Sequence, residues 1–194
     1  MIRKDRPMNA EQRKTLLRTA KQAVEAAIHR RPVPRPHSDD PVLNERCGCF
    51  VTLKSAGRLR GCIGQFTGDQ PLIDLVARMA QASSTQDSRF FHDPIRPGEL
   101  ATLNIEISVL SPLQRTQDPL SLRLGVDGVY IVRSGRSGCF LPQVAAETGW
   151  SKEEFLSYCC AHKAMLPPDA WKDPATEVYL FTVEAFNADW TDIE

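Results

Sequence analysis

The stretch Leu59-Arg60-Gly61-Cys62-Ile63-Gly64 sets one cysteine between two glycines, with an arginine two residues before it. Glycine lets other backbone or a ligand come close, so we expect little side-chain cover around Cys62. The guanidinium of Arg60 would favour the thiolate form of this cysteine and raise its reactivity. A tightly packed cysteine is the competing interpretation, because free cysteine is among the most buried residue types.

The same stretch is predicted to form the second arm of a β-hairpin. Its first arm would be Phe50-Val51-Thr52-Leu53, which is rich in strand-forming residues, followed by a turn at Ser55-Ala56-Gly57. The chain then returns through residues 59–66. Because glycine within a strand often marks a bulge, Gly61 and Gly64 are expected to interrupt the regular pairing.

A clean alternation of apolar and polar residues predicts a central strand over residues 101–110. The apolar set is Leu103, Ile105, Ile107 and Val109, and the polar set is Asn104, Glu106 and Ser108. Side chains alternate across a strand, so each set lies on one face. We expect the apolar set to face the core of an antiparallel sheet.

The first helix is predicted from its cap and its apolar spacing. Asn9 can cap a helix that starts at Ala10 and ends near residues 30–31, with Gln12 placed for the reciprocal capping contact. Four prolines then fall within residues 32–41. Proline resists helix and lacks an N–H donor, so this segment is predicted to be an extended connector.

Two more helices are predicted further along the chain. Apolar residues at helical spacing indicate a helix over residues 72–80. Ser151 and Glu154 form a capping box at the start of a late helix, which Pro167 and Pro168 would end. The sequence therefore places helices at the start, the middle and late in the chain.

The remaining strands are predicted as a second hairpin over residues 122–132, a turn at residues 134–138 and a last strand over residues 178–186. Strands grouped in hairpins favour an α+β fold, with a mostly antiparallel sheet flanked by helices, over repeating parallel units. The 194 residues fit one domain with a small subdomain. We assign this domain to residues 9–190.

Composition argues against several classes of function. The 24 basic residues balance the 24 acidic ones, so broad electrostatic binding to nucleic acid or to an anionic membrane is not expected. No apolar run reaches membrane-spanning length. The charged residues 1–6 are not followed by an apolar core, so the N-terminus does not resemble a secretory signal. We therefore expect a cytoplasmic protein.

The cysteines are predicted to be reduced packing residues. There are six, namely Cys47, Cys49, Cys62, Cys139, Cys159 and Cys160. The chain is long enough to bury a core without disulfides, and no export signal is apparent. Neither the closely spaced first pair nor the adjacent last pair has the spacing of a structural zinc site, so no metal is predicted.

An ordered series of motifs resembles the AMMECR domain family. Besides the stretch at residues 59–64 and the strand before it, the series consists of Asp87-Ser88-Arg89-Phe90, Ile105-Glu106-Ile107-Ser108-Val109-Leu110, Leu141-Pro142-Gln143-Val144, Lys163-Ala164-Met165-Leu166 and Asp169-Ala170-Trp171. The match runs in order from about Leu16 to about Phe186. Met165 departs from the pattern, because the resemblance leads us to expect a glycine there.

The resemblance implies a fold more firmly than a reaction. It implies a larger portion of sheet and helices with a smaller lobe, and a cleft near residues 59–64. It implies no settled biochemical activity and no particular cofactor. Prokaryotic relatives of the AmmeMemoRadiSam-associated type are encoded beside a Memo-like protein and a radical SAM protein, which suggests a shared pathway.

The first functional hypothesis is a small-molecule binder or enzyme that uses this cleft. Cys62 would be the nucleophile or a ligand contact, and Arg60 would hold a small anionic ligand, since its forked donors match a carboxylate or phosphate. Backbone amides around Gly61 and Gly64 could face the same anionic group. Proton carriers would come from a further set, His92, Glu106 and Lys163.

Arg89 has two interpretations, either as a further ligand-binding residue or as the partner of Asp87 in an ion pair that holds its loop together. The second functional hypothesis is a non-catalytic protein-interaction module, in which residues 59–64 are only a structural kink. The charge balance counts against nucleic acid as the partner.

Overall fold

A computed structural model describes residues 7–194, which divide into two compact units. The first unit contains residues 7–110 and Glu184–Glu194, and the second contains Ser111–Val183. Residues 1–6, on which the expected absence of a secretory signal depends, lie outside the described residues. Within residues 7–194, no helix combines the length and apolar character needed to cross a bilayer.

The α-helices, in chain order, are α1 (Ala10–Ile28), α2 (Leu72–Thr85), α3 (Pro142–Thr148) and α4 (Lys152–Tyr158). The strands are β1 (Cys49–Ser55), β2 (Arg58–Gln65), β3 (Leu103–Leu110), β4 (Gln114–Thr116), β5 (Asp127–Arg133), β6 (Arg136–Phe140) and β7 (Glu177–Asp189). Residues 31–40 form neither helix nor strand, as their prolines predicted. The α+β fold is confirmed.

In the first unit, β1 lies between β2 and β3 and pairs antiparallel with both. The predicted hairpin and the predicted face of β3 are therefore confirmed, because Leu103, Ile105, Ile107 and Val109 are all buried. They pack in one core with the apolar faces of α1 and α2. The cap of α1 also forms as predicted, through reciprocal contacts of Asn9 and Gln12.

The irregularity in the hairpin is not where the glycines predicted it. Leu53 pairs with Gly61 and Lys54 pairs with Leu59, so Arg60 is the extra residue of a bulge. Gly61 and Gly64 lie in regular register with β1. The bulge removes the strict alternation that would have put the side chains of residues 60 and 62 on one face.

The two glycines are instead needed because other groups come close to them. A Cβ atom on Gly61 would lie 1.9 Å from the carbonyl oxygen of Ser83 in α2. A Cβ atom on Gly64 would lie 2.3 Å from the ring of Phe50 on β1. Both distances are well inside van der Waals contact, so each position requires glycine for α2 and the ring to stay where they are.

In the second unit, β5 pairs antiparallel with both β6 and β7, and β4 pairs with β7. Its core combines the inner faces of these strands with α4 and the following turn. The capping box of Ser151 and Glu154 begins α4 as predicted. The helix ends at Tyr158, before the two prolines, because a π-helical turn over Cys159–Lys163 follows it.

The predicted hairpin over residues 122–132 is wrong. Asp118 caps a 3-10 turn over Pro119–Ser121, and Arg123 then closes a further turn by binding the carboxylate of Asp127 with its backbone amide and its guanidinium. These local contacts satisfy the polar groups of a turn without a strand. The hairpin is formed by β5 and β6, joined at Ser134 and Gly135, both with positive φ.

Met165 occupies a left-handed conformation, with a φ of 55°. A side chain is disfavoured in this conformation and glycine is not, which agrees with the glycine that the resemblance led us to expect. The side chain is 69% exposed, so it meets no packing obstacle, and Arg136 donates a hydrogen bond to its carbonyl oxygen.

We predict that Gly61→Ala destabilises the protein, by about 1–3 kcal/mol or more, because the new methyl group must push α2 away from β2. Urea unfolding followed by circular dichroism would measure the loss. Gly98→Ala is the matched control, since a Cβ atom there meets nothing within 4 Å. Equal unfolding free energies for the two variants would contradict the close approach of α2.

Candidate functional site

Cys62 lies at one end of a row of side chains that crosses the sheet of the first unit. Thr52 pairs with Cys62 on one side and with Glu106 on the other, so the three residues share one face. The hydroxyl of Thr52 donates a hydrogen bond to Sγ of Cys62 at 3.2 Å. Glu106 binds the ammonium group of Lys54 at 3.0 Å. This face is only partly buried and is opposite the helical core.

The backbone of Cys62 is held by two side chains from the loop after α2. Asp87 accepts a hydrogen bond from the Cys62 amide at 2.9 Å, and Arg89 donates to the Cys62 carbonyl at 3.2 Å. Arg89 also binds Asp87 through Nε and Nη2, at 2.9 and 2.6 Å. We call Asp87 and Arg89 the Cys62 clamp. The predicted ion pair within this loop is thus present.

The electrostatics of the Cys62 clamp follow from these contacts. The hydrogen bond from Arg89 lowers the pKa of Asp87 to about 2, assisted by the Cys62 amide and against the opposing effect of burial. In turn, the hydrogen bond to Asp87 raises the pKa of Arg89, against the opposing effect of burial. Arg89 is therefore a cation that contacts Cys62 through the Cys62 carbonyl.

Arg60 is engaged elsewhere. Its side chain is only 4% exposed, and its guanidinium binds Asp93 at 2.7 Å and Glu99 at 2.6 and 3.1 Å. The hydrogen bond to Glu99 is the main reason that the pKa of Arg60 is raised. Arg60 therefore fixes the segment between Asp93 and Glu99 against the bulge, with its charge already matched by carboxylates.

Two of the three predicted proton carriers, His92 and Lys163, do not join the row around Cys62. His92 is exposed on the loop that follows the Cys62 clamp. Lys163 belongs to the second unit, where its ammonium group lies over the ring of Phe140 and beside Cys139. Glu106 is the one of the three that shares a sheet face with Cys62.

The six cysteines differ sharply in environment. No disulfide joins them in the described part of the chain, which includes all six. Burial raises the pKa of Cys49 and of Cys159, and raises that of Cys139 to about 12 although Lys163 opposes it. Among residues 7–194, no three or more His, Cys, Asp or Glu residues come together as metal ligands would.

Sequence reasoning missed Thr52, Lys54 and Glu99. Thr52 and Lys54 become visible only once β1 is set in register between its two neighbours. Glu99 is 39 residues from Arg60, too far for any local pattern to pair them. The ion pair of Asp87 and Arg89 was one of the two interpretations of this loop, but their hydrogen bonds to the Cys62 backbone were not expected.

The fold and site define an α+β protein with two compact units and a half-buried cysteine on the hairpin of the first. The AMMECR1 family model matches residues 17–186, so the chain belongs to the AMMECR1 family. A protein of Methanothermobacter thermautotrophicus is 40% identical over 94% of this chain and 97% of its own length.

Further relatives agree with this assignment. Protein TK0174 of Thermococcus kodakarensis is 40% identical over 90% of this chain and 89% of its own. The crystal structure of the uncharacterized protein PH0010 from Pyrococcus horikoshii is similar, with a TM-score of 0.82, 37% identity and 94% of each chain covered. The names of these relatives describe no activity.

We predict that Arg60→Ala costs about 2–3 kcal/mol, somewhat less than a fully buried ion pair, because its carboxylate partners keep some contact with water. Arg58→Ala is the matched control. Arg58 is 4.0 Å from the same Asp93 but 76% exposed, so its loss should cost less than about 0.5 kcal/mol. Denaturant unfolding would measure both. Similar losses would show that burial of Arg60 does not matter.

We predict that Asp87→Asn changes the response of stability to acid. The pKa of Asp87 is depressed in the folded state. The stabilisation of the fold by its ionised carboxylate is therefore fully present above pH 4 and is lost as pH falls towards 2. The variant should lose about 2 kcal/mol at pH 7 and little at pH 2. Unfolding midpoints measured across that range, with the fully exposed Asp39→Asn as control, would test this. The same difference in stability between the variant and the wild type at every pH would contradict the prediction.

Proposed function

We propose that this protein binds a small molecule, or acts on it as an enzyme, at the sheet face around Cys62. Cys62 would be the nucleophile or the direct ligand contact. The observation that carries the proposal is the setting of its thiol, which accepts a hydrogen bond from Thr52 while the Cys62 clamp holds its backbone. Hydrogen-bond donors and a nearby cation both favour a thiolate over a thiol.

Arg89 takes over the role first considered for Arg60. The guanidinium of Arg60 is buried and already matched by Asp93 and Glu99, so it serves the site by fixing the adjacent segment. Arg89 is 56% exposed and keeps contact with Cys62, so it can attract an anionic group of a ligand. The amides of Cys62 and Ile63, between the two glycines, would assist only after a local adjustment, because they already donate to Asp87 and Ser83.

Glu106 is the proton carrier that this arrangement favours. Cys62 and Glu106 lie two strands apart, and adjacent strands are about 4.8 Å apart, so their backbones are separated by about 10 Å. A small molecule lying over Thr52 could contact both side chains. The ion pair with Lys54, at 3.0 Å, would hold the Glu106 carboxylate in place on this face.

The proposal includes the cellular setting that the family resemblance implies. The protein would be cytoplasmic and act in one pathway with a Memo-like protein and a radical SAM protein. This part is based on the resemblance alone. His92 and Lys163 have no assigned part in the chemistry at Cys62.

The competing function is a non-catalytic interaction module. It is favoured by two exposed apolar side chains, Leu59 on the hairpin and Phe91 on the loop after α2. The Phe91 side chain is 60% exposed. Exposed apolar groups of this kind can anchor a protein partner. In that case Cys62 would have no need of unusual reactivity, and the two functions can be separated by its chemistry.

We predict that Cys62 is the fastest cysteine to be alkylated in the native protein. Iodoacetamide labelling between pH 6 and 9, followed by peptide mass spectrometry, would give the rate at each cysteine. Cys49, Cys159 and Cys160 should be protected by burial, and Cys139 by its raised pKa. Cys62→Ser should remove the fast phase with little change in the unfolding midpoint.

Loss of Arg89 should slow this reaction. Arg89→Ala should lower the rate at pH 7 several-fold, because it removes the cation that contacts Cys62 and part of the support of its backbone. Arg89→Lys should retain part of the rate, because it keeps the charge but not the forked hydrogen bonds. Arg35→Ala, at an exposed position in the connector, is the control. A Cys62 rate no faster than in the unfolded chain, and unchanged in Arg89→Ala, would support the interaction module instead.

A further inference from the structure

A cavity of about 220 Å³ lies at the C-terminal end of α2 and is separate from the Cys62 row. Its wall consists of the last turn of α2, part of the loop over residues 87–95, and Arg60. Four charged or polar side chains in this wall are more than nine-tenths buried: Arg60, Ser83, Ser84 and Asp87. Phe90 and Phe91 complete it on the loop side. Buried polar groups around a defined cavity with aromatic walls are typical of a ligand site.

The charged groups of the wall have little capacity left for an anion. The guanidinium of Arg60 already donates to Asp93 and Glu99. The carboxylate of Asp87 accepts four hydrogen bonds, two at each oxygen, from Cys62 and Arg89. Asp93 and Glu99 therefore already match the charge of Arg60, and its guanidinium offers little to an incoming anion.

The capacity that remains is for accepting hydrogen bonds. The hydroxyls of Ser84 and Thr85 both donate to the carbonyl of Gln81, which leaves their oxygens free to accept. The last carbonyls of a helix lack N–H partners within it. The amide of Gln86 donates to the carbonyl of Ala82. No backbone donor in residues 7–194 reaches the carbonyl of Ser84 or that of Thr85.

Electrostatics point in the same direction. The C-terminal end of a helix carries a partial negative charge, which favours a cation close to the last turn. Phe90 and Phe91 add aromatic rings, whose faces attract organic cations. The guanidinium of Arg89 already lies over the ring of Phe90, at 5.5 Å from its centroid, so the exposed ring of Phe91 is the more available of the two. A volume of 220 Å³ is several times the roughly 30 Å³ that one water occupies in the liquid, so a ligand of a few heavy atoms fits.

We propose that this cavity binds a small organic ammonium ion, such as a primary amine, through the acceptors of the last turn of α2 and the rings of Phe90 and Phe91. The site shares Asp87 with the Cys62 clamp, but it does not depend on the function proposed for Cys62. A ligand of this class differs in charge from the anion expected at Arg89, so the two proposals can fail separately.

Three probes of the same length and different charge test the proposal: n-butylammonium, n-butanol and butyrate. Each would be titrated into the full-length ¹⁵N-labelled protein at constant ionic strength. We expect the ammonium ion to shift the amide signals of Thr85, Gln86 and Phe91 in a saturable way. Butanol should bind at least about tenfold more weakly, and butyrate should not bind measurably.

Charge variants at the edge of the cavity provide a second test. Thr85 is exposed in the last turn of α2, where a lysine is well tolerated, so Thr85→Lys should fold normally and weaken ammonium binding about tenfold. Thr85→Glu should strengthen it several-fold. Phe91→Ala should weaken it, and Met165→Ala, an exposed apolar residue of the second unit, should leave it unchanged.

Three outcomes would overturn the proposal. Equal binding of butanol would show a merely apolar cavity, and tighter binding of butyrate would show an anion site. Ammonium binding that is the same in Thr85→Lys, Thr85→Glu and wild-type protein would show that the ion binds elsewhere.

Discussion

One serine joins the parts of the first unit on which the site depends. The hydroxyl of Ser83 donates to the carbonyl of Val51 at 2.7 Å and accepts from the amide of Ile63 at 2.9 Å. It is almost fully buried, so loss of either partner would leave a polar group unsatisfied away from water. Helix α2 is thereby fixed to both arms of the hairpin, and Gly61 allows the helix backbone to come this close. The position of Cys62 is a consequence of this junction.

Features encoded by neighbouring residues could be predicted from the sequence. The alternation of Leu103 to Val109 gave the correct face of β3, because a period of two residues is independent of what packs on it. The caps at Asn9 and Ser151 form because donor and acceptor are three residues apart. The order of motifs also identified the family, which the match over residues 17–186 confirms.

Features that depend on distant partners could not be predicted in the same way. Arg60 precedes Cys62 in the sequence and Arg89 follows it, and the close spacing favoured Arg60 as the partner of the thiol. In the fold, Arg60 binds Asp93 and Glu99, and Arg89 contacts Cys62. The bulge at Arg60 could not be located from the sequence. The glycines that suggested a bulge are required instead by the close approach of α2 and of the Phe50 ring. Similarly, the turn closed by Arg123 and Asp127 could be recognised as a turn only from the contact itself.

The Cys62 clamp also affects how copies of the chain can meet. β2 is the outer strand of its sheet, and outer strands offer unpaired amides and carbonyls on which another chain can extend the sheet. The amides of Cys62 and Ile63 and the carbonyl of Cys62 are already taken by side chains of the same molecule. A second molecule therefore finds the middle of this edge already occupied. The contacts that position the cysteine thus also oppose the pairing of another strand with residues 62 and 63.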